Sequence, residues 1–130
     1  MKRARDPAAT MGKLLHLYGQ KQNASLHVGF PCRVLSFDQE TCMADVQPLI
    51  LAGVDPPSMI QNVPALGQRL LINGAESVCK PALKQGDTVL VICSDRELKN
   101  ALNGDIAAAD SQRMHSLNDA VIVGVFPCSL

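Results

Sequence analysis

Apolar and polar positions change period along the chain, and the change divides it in two. Met11, Leu14, Leu15, Tyr18 and Gln22 recur at helical spacing, with Lys13, Gln20 and Lys21 largely elsewhere. This spacing predicts a helix over 11–26. Gly19 weakens that helix by roughly 1 kcal/mol relative to Ala, so it needs a partner surface. Residues 1–10, mixed in charge and carrying Pro7, read as a flexible tail. From Pro31 onward the period shortens. Cys32 to Phe37 reads as a strand, Asp38 to Thr41 as a turn and Cys42 to Ile50 as the returning strand. Ala44, Val46 and Pro48 share one face of that return, and Asp45 and Gln47 share the other. Pro48 cannot donate to a ladder, so pairing weakens there.

Residues 52–59 form a loop by composition. Further extended runs follow over 60–72 and 76–80, the first broken by Pro64. Asn73-Gly74 is the hairpin turn within this region. Gly86-Asp87 leads into 87–93, whose Thr88–Cys93 run is apolar on both faces and is expected to be the most buried strand. Residues 94–102 predict a short helix capped by Ser94 or Asp95 and stopped at Asn103-Gly104. Residues 105–113 are an Ala/Asp/Ser loop, and 120–125 is the last strand. The fold class expected is therefore mainly β. It is a five-stranded OB-fold (Greek-key) barrel over 27–130, with an N-terminal helix and a short helix before the last strand.

Composition narrows what such a barrel does. The chain has 130 residues, enough for one domain without a disulfide or metal staple. There is no Trp, one Tyr and three Phe, so Val, Leu, Ile and Ala must build the core. Twelve basic and twelve acidic residues cancel, and no broad positive field for nucleic acid results. Lys2, Arg3 and Arg5 read as part of a solvated tail. The five cysteines are odd in number and lack C-x-x-C spacing, which suits reduced thiols in a cytoplasm. No run is long and apolar enough for a membrane-spanning helix, so no stable membrane insertion is expected.

Candidate chemistry is sparse. His16, His27 and His115 are scattered, so no metal is expected, and no cofactor motif is present. Asp38 and Glu40 sit in a predicted turn rather than astride a cleft. No glycine elbow surrounds a Cys. The expectation is a non-enzyme with no catalytic residues. OB folds often bind single-stranded nucleic acid, and such a binding module is the alternative reading. Phe30, Phe37 and Phe126 lie in apolar strand contexts that favour core over stacking.

Three ordered stretches add a resemblance. They are LHVGFPCRVLSFD at 26–38 continuing to ADVQPL at 44–49, LKQGDTVLVICSDR at 83–96 and RMHSLNDAV at 113–121. Together they resemble the N-terminal OB-fold domain of the phage membrane-puncturing spike family, over roughly residues 12–126. The resemblance implies a structural role in the baseplate of a contractile tail, at the hub-spike junction. It implies a homotrimer bound to a tail hub protein, assembled in the bacterial host cytoplasm and carried in the virion tail. Family members continue into a β-helical stem, where this sequence reaches Leu130. The expectation is that it forms the base of the spike, with a separate spike-tip protein supplying the point. Leu14, Leu15 and Tyr18 on the helix and Val125 and Phe126 at the end of the last strand are the expected interface residues.

Overall fold

The computed structural model describes residues 7–25 and 27–130, with backbone alone at 22–25. Residues 1–6, most of the expected tail, and Leu26 lie outside the described residues. Helix α1 spans Pro7–Ser25, four residues earlier than the apolar spacing predicts. Pro7 opens it, at a position where a missing N–H costs no hydrogen bond.

Seven strands follow: β1 (Gly29–Asp38), β2 (Met43–Pro48), β3 (Ile60–Pro64), β4 (Gln68–Ile72), β5 (Ala75–Cys79), β6 (Thr88–Cys93) and β7 (Ala120–Val125). Five of them form one curled sheet in the order β3-β2-β1-β6-β7, every neighbour antiparallel. Its two ends meet where Ala65 pairs in parallel with Ile122, and the Leu66 N–H donates to the Ile122 carbonyl at 3.0 Å. This is the expected OB-type barrel. β4 and β5 form a separate hairpin between β3 and β6.

Local chemistry sets the turns. The Asp38 carboxylate accepts the Glu40 N–H at 3.0 Å, closing the β1–β2 turn. Asn73 and Gly74 both take positive φ, the conformation a two-residue β4–β5 turn demands. Gly86 sits at φ +93, its N–H donating to the Val34 carbonyl at 2.9 Å. Asp87 accepts the Lys84 N–H on its side chain and returns its own carbonyl to the Val34 N–H at 2.8 Å.

Val34, Val46, Val63, Val89, Val91, Ile122 and Cys32 are fully buried, and Phe30, Phe37, Leu117 and Val125 pack around them. The strands do not alternate cleanly. A register shift between Val34 and Ser36 lets Phe37 face the core, where strict alternation would put Ser36. In β3, Gln61 and Asn62 together oppose Asp45. Asn62 takes φ 55, and its N–H donates to the Asp45 carboxylate at 3.0 Å. In β7, Val123 is the extra residue between Ile122 and Gly124, so Ile122 and Val125 both reach the interior.

Strand β6 is the most buried strand, as expected, through one face: Val89, Val91 and Cys93 point inward while Ile92 is exposed. One expectation is corrected. Residues 94–102 form no helix: Arg96 bridges to Met114 and a turn follows from Lys99, and the short helix before the last strand is a 3-10 helix at Leu117–Asp119. The tertiary partners of this segment explain the change. The Ser94 N–H donates to the Asp119 carbonyl, and the Leu98 N–H donates to the Asp119 carboxylate at 3.2 Å. Both donors are spent on the barrel rather than on a helix end.

Candidate functional site

Three features stand out on the barrel. The first is a tightly ionised strap. The segment between β6 and β7 crosses one end of the barrel and is tied down by Asp119, itself buried. Arg113 donates to it through Nε at 2.7 Å and Nη2 at 2.9 Å, a two-pronged contact. The Arg113 guanidinium, first among the causes, holds the Asp119 carboxyl below its usual range, with the Leu98 N–H adding to the effect. Glu97 is buried beside them, accepting the Ser111 hydroxyl at 2.6 Å and lying 3.4 Å from Arg113 Nη1. Lys99 bridges to Asp110 at 3.0 Å at the rim. His115, at φ 46, sets Nε2 3.1 Å from the Asp95 carboxylate. Each of these side chains has a partner within the strap, so the cluster fastens a loop, although Glu97 Oε1 and His115 Nδ1 are buried without a hydrogen bond.

The second feature is a cleft of about 980 Å³ at the end of the barrel where α1 joins β1. Val28, Phe30, Pro48, Ile50, Met59 and Leu117 supply apolar lining, with His27, Ser58, Gln61, Asn62 and Asn118 as its polar part. Gln47 holds the loop that borders it by donating to the Pro57 carbonyl at 2.6 Å. No Asp, Glu, Lys or Arg lines the cleft.

The third feature is the exposed apolar surface. Leu14, Leu15 and Tyr18 are 58%, 64% and 62% exposed on α1, with Met11 and Leu17 exposed beside them. The β4–β5 hairpin exposes apolar side chains on both faces, with Leu70 and Ile72 on one, and Leu71 and Val78 on the other. A two-stranded hairpin is marginal alone in water, and such a face asks for cover.

The expected interface residues divide accordingly. Leu14, Leu15 and Tyr18 stand outward together. Val125 instead packs against the core, and Phe126 is 37% exposed where the chain leaves β7. Sequence reasoning passed over Leu71 and Val78, which share their face of the hairpin with the Arg69–Glu76 ion pair, over Ile50, which it placed at the end of the returning strand, and over Met59, which it placed in the loop over 52–59. Phe37 packs against the core, and Phe30 packs against it while also lining the cleft.

Among the described residues no group of three or more His, Cys, Asp or Glu side chains could hold a metal ion. The thiols are separate: Cys32 and Cys93 are buried, Cys42 is half-buried, and Cys79 and Cys128 are exposed. Burial, with Cys93 close by, pushes the Cys32 thiol up to about 12, so it is an un-ionised core group.

Comparison with known proteins gives one family. The family described as "Phage protein Gp138 N-terminal domain" matches residues 30–124. The span runs from the second residue of β1 to the penultimate residue of β7, and so coincides with the barrel. No curated protein matches the chain.

Proposed function

The chain belongs to the Gp138 N-terminal-domain family of phage proteins, and from that premise we propose that it is a structural, non-catalytic component of a contractile-tail baseplate. In this reading it forms the base of the central spike at the hub-spike junction and links the tail hub protein to a separate tip or stem protein. The working unit is a homotrimer on the tail axis, built into the virion after assembly in the host cytoplasm.

The observation that carries the reading is the coincidence of the family span with an OB-type barrel that leaves large apolar side chains exposed. A component packed among neighbours on every side needs such surfaces covered in the assembled particle. The chemistry of the side chains supports the non-catalytic part. The buried acids Asp119 and Glu97 are committed to Arg113 and Ser111, and the Cys32 thiol is protonated.

Imaging assembled particles that carry a tagged chain tests the placement. Three copies on the tail axis at the tip are expected. Six copies in an outer ring, or one copy off the axis, would overturn it.

A further inference from the structure

We propose that α1 of one copy lies in the cleft of the next copy, so that chains join head to tail into a closed ring. The inference deepens the homotrimer reading above and rests on it, because it names the surfaces that meet.

Three observations converge.

The shapes are complementary. α1 is a protrusion, with every described side chain over 7–18 exposed and a length of about 28 Å for its 19 residues. The cleft is a concavity lined by Phe30, Pro48, Ile50 and Met59. Two different patches on one chain, one convex and one concave, give a head-to-tail contact, which closes into a ring when its rotation divides the full circle, as a homotrimer requires.

The helix does not fill the cleft of its own chain: no described residue of α1 lines it. The Val28 carbonyl accepts the Cys93 N–H at 2.9 Å, which fixes the entry to β1 at the rim. On α1, Leu14 and Leu15 are exposed.

The charges also match. α1 carries Lys13 and Lys21 and no acid, while the loop over 49–59 that borders the cleft carries Asp55 and no base. A basic helix seated on that loop meets attraction at its edge and no buried like charge.

The test uses the full chain with Leu15 replaced by a photo-crosslinking phenylalanine derivative. Light and heavy isotope-labelled chains are mixed, irradiated and mapped by mass spectrometry. Crosslinks joining light to heavy chains and landing within 48–62 are expected. Leu15→Asp and Met59→Asp should each convert the multimer to monomer in solution while the barrel keeps its β-sheet circular dichroism. Crosslinks within one chain, crosslinks to another face of the partner, or a wild-type chain that stays monomeric at about 100 μM would each overturn the ring contact. A chain that passes this test yet is absent from the axis of assembled particles would leave the contact standing and remove the spike placement. The two readings therefore fail separately.

Discussion

Truncating Ile122 to Ala tests whether the barrel interior is one packed core closed by β7. Ile122 is 2% exposed, pairs with Val91 on β6 and meets Ala65 across the closure. The change removes three carbons, worth about 2.4 kcal/mol at roughly 0.8 kcal/mol per methylene. A residual cavity adds to this, giving about 3–4 kcal/mol in all. The Leu66 N–H bond to the Ile122 carbonyl involves backbone alone and survives the substitution. With an unfolding entropy of about 2.1 cal/mol/K per residue over roughly a hundred barrel residues, the midpoint should fall by about 15 °C. Ile122→Val removes one carbon and should cost about 1 kcal/mol, or about 5 °C. Ile92→Ala is the control, because Ile92 lies on the neighbouring strand but is 38% exposed. Its loss should be at most about half that of Ile122→Ala. The assay is thermal and urea unfolding at one fixed protein concentration, since association would move the midpoint by mass action. A loss below about 1 kcal/mol for Ile122→Ala, or one no larger than that of Ile92→Ala, would refute the packed-core reasoning.

Two further predictions concern the strap and the thiols. Arg113 holds the Asp119 carboxyl below its ordinary value of 3.8, so its stabilisation is full above that value and is lost as pH falls through it toward the lower folded value. Asp119→Asn should cost about 2 kcal/mol near neutral pH and flatten the acid limb of the stability curve, measured by urea unfolding at several pH values. An unchanged acid limb would remove Asp119 from this role. For the thiols, Ellman reagent near neutral pH should label exposed Cys79 and Cys128 first and half-buried Cys42 more slowly. Cys32 and Cys93 should react only in denaturant, because burial raises both thiols. Reaction of all five at one rate would contradict the core placement.

The strands were legible because the turn residues state their own geometry. Asn73-Gly74, Asp38 and Gly86 each adopt the conformation their chemistry favours, and the runs between them became β1, β2, β4, β5 and β6. The bulges were not legible. A bulge is a two-against-one opposition between strands, so the shifts at Leu35, Asn62 and Val123 depend on which strand lies alongside. The failed helix over 94–102 has a related cause. Ser94 and Asp95 offered a local cap, but Asp119, more than twenty residues away, took the Leu98 N–H. Pro7 carried a helix-start signal that was read as tail chemistry. On the surface, the stripe of Leu14, Leu15 and Tyr18 could be counted from spacing within one helix. The cleft could not, because its walls come from residues 27–30 at the entry to β1, the end of β2, the loop after it, the start of β3 and the 3-10 helix before β7.

The arrangement of β1, β6 and β7 also fixes how the barrel answers tension. β1 and β7 each run antiparallel to β6, so they are parallel to one another. Gly29, where the chain enters β1, lies opposite Ile92, while Val125, where it leaves β7, lies opposite Val89 at the other end of β6. A pull applied through α1 and the C-terminal residues therefore draws β1 and β7 in opposite directions along their own axes. Ladder hydrogen bonds lie across that direction, so the sheet is strained in shear and its rungs must give way together rather than peel one after another.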